Sequence, residues 1–140
     1  GPEEEALKFA CYQLGLQAQV FFLGKLGHKE VRQHLTQAQY YIQYSVQEGF
    51  CNAVLEAQAM GLLCVVSDAE GLAENVLDGT TGWVVAKRQP KVLTNKLIEM
   101  ISLPNKEKAK VMELSKNRIK QVFNLEKQQK LFETFYDDNI

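Results

Sequence analysis

Four short apolar runs recur at intervals of about twenty residues: Val20-Phe21-Phe22-Leu23, Tyr40-Tyr41-Ile42, Leu62 to Val66, and Trp83-Val84-Val85. Each is apolar on consecutive positions, the pattern of a strand covered on both faces rather than one. The intervals leave room for one helix between neighbouring runs. His28 to Ala38 sets Val31, Leu35 and Ala38 on one stripe, Asn52 to Met60 stops at Gly61, and Leu72 to Leu77 precedes Asp78-Gly79. Strand and helix in alternation predict an α/β fold, a Rossmann-like parallel sheet of about four strands flanked by helices. No sequence repeat underlies the period, which argues against a solenoid.

Beyond Val85 the pattern becomes all-helical. Pro90 suits a first helical turn, and Val92, Leu93, Leu97, Ile98 and Ile101 follow at helical spacing. Leu103-Pro104-Asn105 breaks that helix; Lys106 to Phe123 and Leu125 to Tyr136 read as two more, with Asn124 capping between them. At the other end Glu3 to Leu14 is helical and stops at Gly15. A sheet of this class normally opens on a strand, whereas this chain opens on a turn and a helix. The expectation is a sheet whose first strand is missing or supplied by another chain or domain.

Composition narrows the function. The 140 residues make one domain, with 16 Lys+Arg against 17 Asp+Glu and a net charge of −1, a balance that argues against a nucleic-acid partner. The longest apolar run, Leu62 to Val66, is far short of the ~20 residues a membrane span needs. Cys11, Cys51 and Cys64 are unpatterned and read as free thiols. His28 and His34 lie on different helix faces with no completing ligand, so no metal site is expected. Trp83 reads as core and Lys106 to Lys110 as a solvated helix face.

Ligands of open parallel sheets sit beyond the carboxyl ends of the strands, where helix N-termini point free N–H groups. Three loops fall on that edge: Gly24-Lys25-Leu26-Gly27, Ser45 to Asn52, and Ser67 to Glu74. The middle loop is the most informative. Gly49 permits a sharp bend, Asn52 is a good cap for the next helix, and the helix dipole there favours an anion such as a diphosphate. Glu48 stands in the loop and Glu56 one turn into the helix, at a depth where a carboxylate can accept both hydroxyls of a ribose. The plainer reading of Glu56 is a solvated helix residue. Against it, Glu56 has no Lys or Arg three or four residues away, and its flanks Leu55 and Ala57 are apolar. Cys51 has no His placed to activate it and is read as packing.

Glu48-Gly49-Phe50-Cys51-Asn52-Ala53-Val54-Leu55-Glu56-Ala57-Gln58-Ala59-Met60-Gly61 closely resembles the E-x7-E segment of retaining GT-B glycosyltransferases of family 4. The flanks agree in order: Phe22-Leu23-Gly24, Cys64-Val65-Val66-Ser67-Asp68 with Gly71-Leu72-Ala73-Glu74, and Asp78-Gly79-Thr80-Thr81-Gly82-Trp83-Val84-Val85. Gly1-Pro2-Glu3 resembles the tail of the family's G-x-G-P-E turn. Such enzymes pair two Rossmann-like domains, and residues 1–140 resemble most of the C-terminal, donor-binding one. The family's Arg and Lys that neutralise the donor diphosphate lie upstream of the first matching residue, as does the N-terminal acceptor domain.

The resemblance implies transfer of a hexose, with retention, from a nucleotide-diphosphate sugar to a sugar or lipid-linked acceptor, without bound metal or other cofactor. Glu48 would be the catalytic residue, beneath the donor sugar near the reacting carbon. Glu56 would hold the ribose. The N–H groups of Gly49, Phe50, Cys51, Asn52, Ala53 and Val54 would hold sugar hydroxyls and the distal phosphate, and Gly24 and Lys25 would border the base. The fragment alone is expected to be inactive. The parent enzyme is expected in the cytoplasm, with peripheral contact at the inner face of the membrane. Two departures stand out: Tyr44-Ser45 replaces the family's Pro-Ser, and Glu70-Gly71 its paired glycines, which sets a negative charge where hydroxyls and phosphate are expected. The rival reading from another class is a non-catalytic Rossmann-like interaction module; a sugar-nucleotide epimerase of similar architecture fits the E-x7-E context less well.

Overall fold

The computed structural model describes residues 2–45 and 52–122. They fall into two compact units that divide between Val31 and Arg32.

In the first unit, helix α1 (Pro2–Gln13) ends at Gly15, where Leu16 N–H donates to the Cys11 carbonyl and Gly15 N–H to that of Tyr12, as the sequence predicts. Lys8 pairs with Glu4 at 3.4 Å and lies 5.8 Å from the centre of the Phe22 ring. The Val20–Leu23 run, expected to be a strand, has no regular secondary structure, and Phe21 is 74% and Leu23 51% exposed. An apolar run becomes a strand only when a neighbouring backbone takes its N–H and C=O groups. Among the described residues no strand does so.

Helix α2 (His28–Gln37) leads into the second unit, whose sheet has three strands among the described residues, β1 (Tyr40–Gln43), β2 (Leu63–Ser67) and β3 (Trp83–Val85). All are parallel, in the order β1-β2-β3, with Tyr41 opposite Cys64 and Val66 opposite Val84. The fold class expected from the sequence is therefore present, with three strands in place of about four. Helix α3 (Asn52–Ala59) connects β1 to β2, and α4 (Pro90–Ile101) and α5 (Asn105–Val122) follow β3. The expected helix over 72–77 is a single 3-10 turn, Ala73–Asn75. The helix expected over 125–136 lies outside the described residues.

All five residues of β2 are buried. On one face Val66 packs with Val54, Ala69, Leu72 and Val76; on the other Leu63 and Val65 pack with Val85, Met100 and Val111. Alternate residues thus feed two cores, which is why the run is apolar at every position. Two glycines shape the turns on the amino side of the sheet. Gly61 (φ 84°) ends α3, with Leu62 N–H reaching back to the Ala57 carbonyl. In the Asp78–Gly82 turn, Asp78 accepts from Val84 N–H at 3.0 Å and the buried Thr81 hydroxyl from Leu77 N–H at 2.9 Å. Gly82 (φ 156°) passes so close to β2 that a Cβ there would lie 2.7 Å from the Cys64 carbonyl oxygen.

Gly82→Ala should therefore cost about 2–3 kcal/mol of stability, read as a lower denaturant midpoint. Cys64, the second residue of β2, is fully buried, and burial pushes its thiol from 9.0 up to about 12. The folded state holds this proton more tightly than the unfolded chain. The resulting stabilisation is complete below about pH 9 and is lost as pH rises towards 12. Thiol labelling at pH 8 followed by peptide mapping should modify the half-buried Cys11 and leave Cys64 intact until the chain is unfolded.

Candidate functional site

In a parallel sheet every strand ends at the same edge, so the segments after β1, β2 and β3 border a common rim. Here the strand tips are laced together by hydrogen bonds. Ser67 Oγ donates to the Ser45 carbonyl at 2.6 Å and accepts from Ala69 N–H at 3.3 Å. Asp68 N–H donates to the Val85 carbonyl at 2.8 Å, while the Asp68 carboxylate accepts from Lys87 N–H at 2.9 Å. The Tyr44 hydroxyl bridges further, donating to the Ala86 carbonyl and accepting from Gln89 N–H at 2.7 Å. Tyr44, a departure from the expected Pro, thus ties the end of β1 to the segment that opens α4. Ser45, Asp68 and Ala86 are in this way fixed relative to one another.

Helix α3 begins at Asn52, directly after the middle loop. Its Val54 is fully buried and Ala53 is half-buried beside the first core, so neither side chain offers a polar atom and only their backbone N–H groups can serve a ligand. Glu56 is half-buried. At 3.6 residues per turn it shares a face with Ala53, Ala59 and Met60, away from the buried Val54, Leu55, Ala57 and Gln58. Glu56 is thus neither a core residue nor a fully solvated one. Glu48, Gly49, Phe50 and Cys51 lie outside the described residues, as does the side chain of Asn52. Gly24 and Lys25 are exposed in the first unit, with open space around the Gly24 Cα. The structure therefore brings Ala53, Val54 and Glu56 together on one helix and leaves Gly24 and Lys25 in a separate unit. Glu70 is exposed in the loop after β2, beside the half-buried Gly71.

The structure also reveals a buried polar cluster that the sequence reading passed over. Gln58 on α3 is completely buried, and its Nε2 donates to the Asn75 carbonyl at 2.9 Å and to the Val54 carbonyl at 3.3 Å. Its Oε1 accepts from the buried Ser115 hydroxyl at 3.5 Å. Asn75 Nδ2 donates to the Gly71 carbonyl at 2.9 Å, and Arg118 Nη1 donates to the Asn75 carbonyl at 2.8 Å. One signal was present in the sequence: Gln58 stands four residues after Val54 on the apolar side of a short helix. Among the described residues no buried side-chain nitrogen or oxygen lacks a partner. No group of three His, Cys, Asp or Glu side chains that could hold a metal ion occurs among them. No helix among them is long and apolar enough to cross a membrane.

Known proteins resemble this chain in sequence and in fold. A phosphatidylinositol N-acetylglucosaminyltransferase subunit of Arabidopsis thaliana is 29% identical over 137 residues, which cover 98% of this chain and 30% of that protein. The lipopolysaccharide core biosynthesis mannosyltransferase LpcC of Rhizobium leguminosarum bv. viciae is 32% identical over 100 residues, covering 71% of this chain and 28% of its own length. The chain thus spans less than a third of these relatives. Among solved structures, Anabaena Alr3699/HepE in complex with UDP and glucose matches with a TM-score of 0.78 at 23% identity, over 95% of this chain and 36% of that one. The C-terminal domain of a glycosyl transferase group 1 family protein (LpcC) from Francisella tularensis matches at 0.76 and 22% identity, over 86% and 62% of the two chains. Both agree with the parallel sheet and flanking helices described above. The family model described as "Glycosyl transferases group 1" matches residues 1–127, nearly the whole chain, and on that match this protein belongs to the glycosyl transferases group 1 family.

Proposed function

We propose that residues 1–140 form the donor-binding part of a retaining glycosyltransferase of family 4, holding the nucleotide-diphosphate sugar from which a longer enzyme transfers a hexose. The observation that carries this reading is Glu56. In a group 1 family chain it stands half-buried on the helix that opens at the strand-tip rim. A carboxylate there can accept paired hydrogen bonds from the two hydroxyls of a ribose, and charge-assisted bonds of that kind are the strong ones. The free N–H groups of the first turn of α3, with the helix dipole, suit the negative charge of a diphosphate.

In this reading Glu48 acts at the donor sugar beside the reacting carbon, and Gly49 to Val54 offer backbone N–H groups to sugar hydroxyls and phosphate. Gly24 and Lys25 border the base. Stabilisation of the departing diphosphate is chiefly electrostatic, shared between the helix terminus and cations contributed from outside this chain, so no metal ion is required. The acceptor, a sugar or a lipid-linked sugar, belongs to a second domain. Two relatives support the class of chemistry. The Arabidopsis protein belongs by name to an N-acetylglucosaminyltransferase, and Alr3699/HepE was solved with UDP-glucose.

Calorimetry on the polypeptide that carries this chain, with UDP-, GDP- and ADP-sugars, tests the reading. One of the three should bind, and Glu56→Ala should weaken it roughly 10- to 100-fold, the loss of about 1.5–3 kcal/mol expected for hydrogen bonds to a charged group. Binding that is indifferent to Glu56→Ala would remove its ribose role. No binding to any of the three would favour the non-catalytic interaction module instead.

A further inference from the structure

The group 1 fold accounts for the strand-tip rim but not for a glutamine amide buried beneath it. We propose that Gln58, Asn75 and Arg118 form a positioning network that locks the 68–75 segment against α3 and so sets the width of the nucleotide-sugar crevice. The proposal rests on the function proposed above and names the residues that shape its site from behind.

The network converges on one atom. The Asn75 carbonyl oxygen accepts from Gln58 Nε2 at 2.9 Å and from Arg118 Nη1 at 2.8 Å, so both of its lone pairs are used. A second guanidinium nitrogen, Arg118 Nη2, donates to the Glu74 carbonyl at 3.3 Å. Ser115, on α5 like Arg118, closes the other end of the Gln58 amide. Helix α5, helix α3 and the 3-10 turn are thereby pinned together through directional contacts rather than through packing alone. From Asn75 the chain of bonds continues outward: its side-chain amide holds the Gly71 carbonyl at 2.9 Å, in the loop that leaves the end of β2.

Two features argue for positioning over mere filling. An apolar side chain of similar size would occupy the Gln58 site without the desolvation cost of a buried amide. What the amide adds is direction, because hydrogen bonds weaken steeply when bent and so fix a preferred geometry. Further, Gln58 follows Glu56 by two residues, which places the two side chains about 160° apart around α3. Holding Gln58 therefore fixes the roll of the helix, and with it the direction in which Glu56 is presented. The same bonds hold the loop after β2, whose Ala69 and Leu72 share a buried cluster with Val54 of α3.

The test uses the full polypeptide that carries this chain, with UDP-glucose, UDP-N-acetylglucosamine, GDP-mannose and ADP-glucose as probes. Gln58→Met keeps the core volume and removes the amide; Asn75→Ala releases Gly71; Arg118→Ala removes the guanidinium, and Arg118→Lys retains one donor. For whichever probe the wild type binds, Gln58→Met, Asn75→Ala and Arg118→Ala should raise Kd and donor KM about 5- to 20-fold, with kcat within about twofold. Arg118→Lys should restore affinity to within about threefold of wild type. Donor affinity unchanged within twofold in these variants, whether or not their thermal midpoints fall, overturns the network while leaving the proposed function standing. A wild-type protein that binds none of the probes removes both. Should Asn75→Ala fail to fold, the volume-conserving Gln58→Met decides alone.

Discussion

The second unit depends on the burial of one strand from both sides. β2 is five residues long, yet its alternating side chains feed two separate hydrophobic clusters, and each neighbouring strand has its register set against it. Complete burial of Val65 and Val66 stabilises by roughly 1.5–3 kcal/mol per side chain. It also leaves no freedom to slip, since a shift of one residue would exchange the two faces. The close pass of Gly82 over the Cys64 carbonyl belongs to the same constraint.

This burial has a consequence for the rim. Because β1, β2 and β3 are parallel and adjacent, the segments that leave them emerge side by side, and their polar groups find one another. Ser67 with Ser45, Asp68 with Val85 and Lys87, and Tyr44 with Ala86 and Gln89 form a continuous set of bonds across the three tips. Behind that set, Gln58, Asn75, Ser115 and Arg118 tie two helices to the loop after β2. The rim is therefore fixed by side chains drawn from segments far apart in the chain. A preorganised edge of this kind is what a site needs if a diphosphate is to be met by N–H groups already in place.

Much of this was legible in advance. The consecutive apolar character of Leu62 to Val66 identified a doubly covered strand, and Gly15 and Gly61 marked helix ends that the structure reproduces. Helix α4 opens at Pro90 as its spacing suggested. Two readings fared differently, each for a physical reason. Val20–Leu23 carries the composition of a strand, but strand formation is a pairing event, and composition says nothing of whether a partner is present. Leu72–Leu77 has helical spacing, yet only a 3-10 turn forms. Asn75 there spends its side chain on the Gly71 carbonyl and its own carbonyl on Gln58 and Arg118. Of the candidate site, Glu56 was legible from its apolar flanks and helical position. The Gln58 cluster was not, because two of the three partners of Gln58 lie 17 and 57 residues away in the chain.

The sequence by itself determined the α/β class, the parallel order implied by alternation, the strand that had to be buried, and the helix that had to carry Glu56. These follow from local rules: period, capping and the cost of exposing apolar runs. Only the tertiary structure decided that Val54 turns inward while Ala53 and Glu56 stay at a half-buried face. It alone showed that Tyr44 bridges to the start of α4 and that a buried amide couples α3 to the loop after β2. Those outcomes depend on hydrogen bonds between distant segments, whose geometry exists only after the sheet has brought the segments together.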